Sequence, residues 1–147
     1  PAVDAAYVCS PDAMHHTQAL ELLAAGKDVL VEKPVHELAS VLEAARAAKR
    51  VLMIGFQRRF DAEYLRAREH VRTCLGGGGA VGEVVVTSAD PVAPHPDNLF
   101  VLYNSLVHDV DTALFLFPDD STVEVVEATV GEANAFDVQL RLTHAAG

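Results

Sequence analysis

Three short apolar runs mark the first 55 residues, at 3–9, 28–32 and 51–55. Their apolar positions are mostly consecutive, which is typical of parallel strands buried on both faces. The two stretches between them repeat apolar residues at three- and four-residue spacing and therefore predict amphipathic helices. The helical positions are Ala19, Leu20, Leu22 and Leu23, then Leu38, Val41, Leu42, Ala45 and Ala48. Alternating strands and helices predict a parallel sheet with right-handed crossovers, and hence an α/β fold.

Residues at the expected helix ends agree with this periodicity. Ser10 is expected to cap the first helix, with Pro11 as its first residue, because proline has no N–H to leave unpaired there. Gly26 is well placed to end the same helix. Lys49 and Arg50 lie at the carboxyl end of the second helix, where positive charge suits the helix dipole.

The pattern changes after residue 60. Asp61 is expected to cap a charged helix that runs to about Val71. Four glycines follow at 76–79. Because no Gly-Lys-Ser/Thr sequence comes after them, a flexible loop is preferred to a phosphate cradle. We expect a strand at 82–88 and a proline-containing loop at 90–98.

The last part of the chain predicts a helix and two strands. The helix covers 107–117 and is stopped by Pro118. The segments 122–129 and 137–142 alternate apolar and polar residues, which predicts antiparallel strands with one solvated face. The chain is therefore expected to divide near residue 60 into a parallel α/β half and an α+β half.

Composition narrows the possible functions. The 147 residues include 11 Lys and Arg against 21 Asp and Glu, so 11 − 21 gives a formal net charge of −10. A chain this acidic is a poor partner for nucleic-acid phosphates or anionic lipid, and neither partner is expected. Cys9 and Cys74 lack CxxC spacing and predict neither a disulfide framework nor a thiolate metal site. No signal peptide and no apolar run near ~20 residues is visible, and we expect a cytoplasmic protein.

Polar residues follow the first two predicted strands. Residues 10–15 come directly after the first strand, and Glu32-Lys33-Pro34 follows the second. Ligands of open α/β sheets bind at these carboxyl ends. A helix cap with exposed histidines explains residues 10–15 better on spacing alone. For Lys33, a ligand contact and a solvated turn are about equally supported by the local sequence.

A third polar group lies near the helix at 107–117. On a helix, Asn104, His108 and Asp111 share one face. Histidine suits proton transfer because its unperturbed pKa is about 6.5. The same histidine and aspartates, with His15 and His16, would also fit a metal site of the His-Asp hydrolase kind. Nothing in their spacing brings these ligands together, so no metal is expected.

Four segments occur in a fixed order. Residues 10–15 are Ser-Pro-Asp-Ala-Met-His, residues 25–34 are Ala-Gly-Lys-Asp-Val-Leu-Val-Glu-Lys-Pro, residues 55–61 are Gly-Phe-Gln-Arg-Arg-Phe-Asp, and residues 108–111 are His-Asp-Val-Asp. Each segment is weak alone, whereas four in order are specific. In this order they resemble the Gfo/Idh/MocA family of NAD(P)-dependent oxidoreductases.

The resemblance implies a fold and a chemistry. Residues 1–60 would be the second half of a Rossmann domain that binds NAD or NADP, and residues 61–147 part of an α+β domain with a mostly antiparallel sheet. Lys33 would contact the reacting hydroxyl, and His108 would remove its proton as hydride leaves for the cofactor. Substrate contacts are expected from Asn104 and Asp109, and cofactor contacts from Ser10, Pro11, Asp12, His15, Glu32 and Lys33.

The implied substrate is a sugar, polyol or related small molecule with a hydroxyl group, and pairing through the C-terminal sheet implies a homo-oligomer. Three features depart from the family pattern, one of which is that residues 100–103, Phe-Val-Leu-Tyr, replace a Gly-Gly pair that is common before the last helix. The Gly-x-Gly-x-x-Gly strand–turn–helix that the family carries upstream of the first strand is absent, so two β-α units would have to precede Pro1, and the chain alone should bind dinucleotide poorly. Asn104 stands where many members carry Asp, and an amide cannot take a proton. The alternative is a non-catalytic relative that serves ligand binding or assembly.

Overall fold

The chain divides into two units, residues 1–56 and 57–147. This division lies slightly before the predicted one at residue 60. The computed structural model describes residues 3–76, 104, 106–117, 121–130 and 136–143. The expected strand at 82–88 and the loop at 90–98 lie outside these residues, as do the last three of the four consecutive glycines.

The first unit contains a three-stranded parallel sheet in the order β1-β2-β3. Two helices make the crossovers, as the alternation of apolar runs and amphipathic stretches predicted. The elements in chain order are β1 (Ala5–Val8), α1 (Asp12–Ala24), β2 (Asp28–Val31), α2 (Leu38–Ala48) and β3 (Leu52–Ile54). The α/β fold predicted for this half is confirmed.

The core of this unit lies between the two helices and one face of the sheet. Its buried residues are Val8, Ala19, Leu23, Val29, Val31, Val41 and Ala45. Tyr7 on β1 and Met53 on β3 lie on the other face and are 56% and 39% exposed. Within the described part of the unit, the two helices cover one face of the sheet. One face packs, and the residues of the apolar runs divide between the two faces.

The ends of α1 follow the sequence signals only in part. Gly26 adopts a left-handed conformation with φ of 71°, and its N–H donates to Leu23 O at 2.9 Å, while Lys27 N donates to Leu22 O at 3.0 Å. These two bonds form a Schellman motif, so the predicted glycine stop is confirmed. The predicted serine cap is wrong: the helix begins at Asp12, and the Ser10 hydroxyl donates to the side chain of Gln18 at 2.7 Å.

The second unit opens with a 3₁₀ turn, Gln57–Phe60, followed by α3 (Ala62–Gly76). Asp61 Oδ1 accepts the N–H of Glu63 at 2.8 Å, as expected of a capping aspartate. The helix extends beyond its predicted end near Val71 and includes the first of the four glycines.

The later elements of this unit are a helix and a strand pair. The helix α4 covers Val107–Leu116, close to its predicted range. The strands β4 (Thr122–Val130) and β5 (Phe136–Thr143) pair antiparallel, with an irregularity in register between Val125 and Glu127. A larger antiparallel sheet stays a prediction. None of the helices in the described ranges is both long enough and apolar enough to cross a membrane.

Candidate functional site

The parallel sheet of the first unit gathers chemically useful residues at one edge. Backbone hydrogen bonds continue the ladder just past the strands: Glu32 N donates to Val8 O at 2.9 Å, and Gly55 N donates to Val31 O at 2.8 Å. The segments after β1, β2 and β3 therefore lie side by side at the carboxyl edge. This edge is where open α/β sheets bind their ligands.

Glu32 has the best-defined environment at this edge. Its Oε1 accepts a hydrogen bond from the hydroxyl of Tyr7 on β1. A Cβ atom built on Gly55 would lie 2.9 Å from Glu32 Oε2, so the carboxylate occupies the space that a larger residue would need. The hydrogen bond to Glu32, and the negative charge of that carboxylate, raise the pKa of the Tyr7 hydroxyl above its ordinary value of 10.0.

Lys33 is half-buried and comes directly after Glu32. The peptide bond between Lys33 and Pro34 is cis. The position just past the end of β2 agrees with the place expected for a residue that reaches a ligand at the carboxyl edge. Its catalytic role stays a prediction.

His15 lies on α1 but points into the interior, with 1% of its surface exposed. Its Nε2 is 2.7 Å from Ser10 O, and its Nδ1 is 2.9 Å from Pro34 O. Carbonyl oxygens only accept, so a neutral ring donates to one of the two and the imidazolium donates to both. The ring therefore joins the segment after β1 to the turn after Lys33. We assign it a positioning role, because both its nitrogens already face backbone.

The remaining residues predicted to contact cofactor lie on the segment between β1 and α1. Ser10 is half-buried, and its hydroxyl and carbonyl are used as described above. Pro11 is exposed at the N-cap of α1, and Asp12 is half-buried in the first turn. The residues expected to line a cofactor cleft thus lie on the segments that follow β1 and β2 and in the first turn of α1, within one unit.

In the second unit, His108 lies in the first turn of α4 and is 8% exposed. Its carbonyl oxygen accepts the hydroxyl of the buried Thr112 at 2.7 Å. Asp111, which the helical spacing placed on the same face, is also buried. Asn104 is half-buried. The helix thus holds its histidine in a largely dry environment, where hydrogen bonds and charge interactions are stronger than in water.

Two arginines of the 3₁₀ turn bind the aspartates of α4. Arg58 Nη1 donates to Asp109 Oδ1 at 2.7 Å. Arg59 donates through Nε and Nη2 to both oxygens of Asp111, at 3.0 Å and 2.6 Å. The guanidinium of Arg59 also lies 5.5 Å from the centre of the Phe115 ring, at cation–π distance. Asp109, predicted to contact substrate, therefore has one oxygen engaged by an arginine.

Replacing Arg59 with methionine is expected to lower the free energy of unfolding of the second unit by about 2 kcal/mol. The change leaves the carboxylate of Asp111, whose side chain is 7% exposed, without its bidentate partner. The loss of stability would be larger if both side chains were fully buried. The Arg59 side chain is 42% exposed, so solvent screens part of the interaction. Urea unfolding followed by circular dichroism measures the loss. The double variant Arg59→Met/Asp111→Leu is the control, and it should recover most of the stability. If it does not, the carboxylate is not the source of the loss.

Four residues of the site, Tyr7, Gly55, Arg58 and Arg59, have no role predicted from the sequence. The two arginines lie in the 55–61 segment, and their positive charges complement the negative charges of the two aspartates of α4. That match was a usable signal for the ion pairs. Among the described residues, no group of three or more His, Cys, Asp or Glu side chains could hold a metal ion.

Comparison with known proteins relates this chain to a family of oxidoreductases. Residues 1–56 match the GFO_IDH_MocA family, described as an oxidoreductase family with an NAD-binding Rossmann fold. Inositol 2-dehydrogenase of Rhodococcus jostii is 35% identical over 131 residues, which cover 83% of this chain and 34% of that protein. Inositol 2-dehydrogenase 1 of Mycolicibacterium vanbaalenii is 32% identical over 157 residues, covering 98% of this chain and 44% of that protein.

A solved structure shows the same likeness. The NAD-binding protein from Listeria innocua superposes with a TM-score of 0.66 at 27% identity, covering 88% of this chain and 39% of that one. The chain spans less than half the length of each of these three proteins.

Proposed function

The chain belongs to the Gfo/Idh/MocA family of NAD(P)-dependent oxidoreductases, and from this premise we propose that it is part of a dehydrogenase acting on a hydroxyl group of inositol or a related polyol. The observation that carries the proposal is the match of residues 1–56 to an NAD-binding Rossmann family. The substrate class follows the two relatives above, which are inositol 2-dehydrogenases.

The residues at the carboxyl edge of the first unit fit a nicotinamide dinucleotide. Such a cofactor presents ribose hydroxyls and a carboxamide, which donate and accept hydrogen bonds. The edge offers the matching groups, namely the carboxylate of Glu32, the ammonium of Lys33 and the hydroxyl of Ser10. We assign these three side chains to cofactor binding, with Pro11 and Asp12 shaping the start of the segment.

In the proposed oxidation, a hydride leaves the carbon that carries the hydroxyl group, and a proton leaves the hydroxyl oxygen. Bound NAD or NADP supplies the hydride acceptor. Lys33 donates a hydrogen bond to the hydroxyl oxygen and favours the developing negative charge on it. A ring nitrogen of His108 takes the hydroxyl proton. Asn104 and Asp109 are the proposed substrate contacts, with Asn104 able to donate and accept but not to carry the proton.

Isothermal titration calorimetry with NADH and NADPH tests this proposal. It is carried out on the 147-residue chain and on any longer product of its gene. We expect saturable binding to a form that carries a glycine-rich phosphate-binding segment before β1, and poor binding to a form that lacks that segment. Absence of binding to every form would contradict the proposal and leave a non-catalytic module.

A further inference from the structure

The carboxylate of Glu32 lies between Tyr7 and Gly55 in the first unit. On the β1 side, the Tyr7 hydroxyl donates a hydrogen bond to its Oε1. On the β3 side, a Cβ atom on Gly55 would lie 2.9 Å from Oε2, 3.0 Å from Cδ and 3.1 Å from Oε1. A Cβ atom essentially never approaches so closely, and the absence of a side chain at Gly55 leaves the carboxylate its place.

The backbone fixes the positions from which these three residues act. Tyr7 pairs with Leu30 in the sheet, and the ladder continues through Glu32 N to Val8 O and through Gly55 N to Val31 O. Their Cα atoms therefore keep a constant spacing. The remaining freedom is rotation about the side-chain bonds of Glu32, and the Tyr7 hydroxyl restricts it.

We propose that Tyr7 is a positioning residue that orients the Glu32 carboxylate toward a bound nicotinamide dinucleotide. The carboxylate itself occupies the space beside Gly55. The proposal rests on the proposed function, because it deepens the role of Glu32 in cofactor binding. The oriented carboxylate accepts hydrogen bonds from ribose hydroxyls or from the carboxamide of the cofactor.

The orientation of the Glu32 carboxylate affects cofactor affinity, because a freely rotating carboxylate would have to be ordered when the cofactor binds. A long acidic side chain loses rotamer freedom when it is fixed by a ligand, and an acceptor that is already oriented avoids that loss. Hydrogen bonds to an ionised carboxylate are also about twice as strong as those between neutral groups, so their direction has a large effect on affinity.

The contact between Tyr7 and Glu32 can be tested without cofactor, by titrating the tyrosines. The chain has three tyrosines and no tryptophan, so phenolate absorbance in the near ultraviolet is well resolved, and Tyr7→Phe identifies the Tyr7 transition. Because the hydrogen bond to Glu32 raises the pKa of Tyr7 above 10.0, Glu32→Gln should move this transition to lower pH. The contact stabilises the fold at pH values below the ordinary tyrosine pKa of 10.0, and this stabilisation is lost as the pH rises through the raised pKa of Tyr7. An unchanged transition would overturn the proposal.

The effect on cofactor is tested by NADH affinity, in the form of the protein that binds it. Tyr7→Phe should weaken NADH binding about fivefold, since one hydrogen bond to a carboxylate is lost. In the Glu32→Gln background, the same change should alter the affinity less than about twofold, because Tyr7 acts only through Glu32. Equal effects in both backgrounds would contradict the positioning role, and so would no effect in either.

Gly55→Ala supplies a second variant that does not alter Tyr7. The added methyl should displace the flexible Glu32 carboxylate and weaken NADH binding about as much as Tyr7→Phe does. With Glu32→Ala, the clash disappears and Gly55→Ala should have little further effect. A loss of affinity that persists in the Glu32→Ala background contradicts the proposal. If no form of the protein binds NADH, the proposed function fails, while the tyrosine titration still decides whether Tyr7 holds Glu32.

Discussion

Replacing His108 with alanine is expected to lower kcat for the proposed polyol oxidation about a thousandfold while changing NADH affinity less than about twofold. A residue that moves a proton in the transition state contributes roughly a hundredfold to ten-thousandfold to the rate. His108 lies in the first turn of α4, and water that filled its place would be a much weaker base than the imidazole. Steady-state rates and NADH titrations on the cofactor-binding form measure both quantities.

Two further measurements separate proton transfer from structure. Added imidazole should restore part of the activity of His108→Ala, and the limb of the pH–rate profile that reports the base should disappear. His70→Ala is the matched control: His70 is exposed on α3 in the same unit, and its loss should change kcat less than about twofold. If His108→Ala keeps its kcat, another group takes the proton.

Much of the first unit was predictable because its signals are local. Gly26 ends α1 for a reason visible in the sequence, since only glycine adopts the left-handed conformation there without strain. The helix periodicity correctly selected Ala19 and Leu23, which are fully buried, and Val41 and Ala45 on α2. Local spacing and backbone preferences are sufficient for such elements.

Features set by distant parts of the chain were harder to predict. The exposure of Tyr7 and Met53 depends on which sheet face is covered, and an apolar run does not say which. Ser10 illustrates a competition: it has the chemistry of a helix cap, but its hydroxyl donates to Gln18 instead. Serine is equally able to bond a side chain or a backbone amide, so sequence alone does not choose.

The site shows the same division. The carboxyl edge was predictable, because parallel strands direct the residues that follow them to one side. Contacts that cross between segments were not, among them Tyr7 with Glu32 and Arg59 with Asp111, which are separated by 25 and 52 residues. The cofactor contact that family resemblance implies for His15 stays a prediction, and the contacts of its buried ring with the carbonyls of Ser10 and Pro34 could not be predicted from the sequence.

His15→Ala is expected to lower the free energy of unfolding of the first unit by about 3 kcal/mol. The change removes a fully buried ring, leaves a cavity, and removes the N–H donor to at least one of the carbonyls of Ser10 and Pro34. Urea unfolding measures the loss. Hydrogen exchange locates it, with faster exchange expected at Glu32, whose N–H donates to Val8 O beside the turn.

His16→Ala is the matched control, one position along the same helix. Its Nε2 lies 2.9 Å from Ser40 Oγ, but 25% of its side chain is exposed, so its removal should cost only about 0.5 kcal/mol. His15→Asn keeps one donor and should fall between the wild type and His15→Ala. Equal losses for His15→Ala and His16→Ala would show that the ring does not join the two segments. A loss confined to His15 supports an interior hydrogen-bonded link beneath the residues that we propose bind the cofactor.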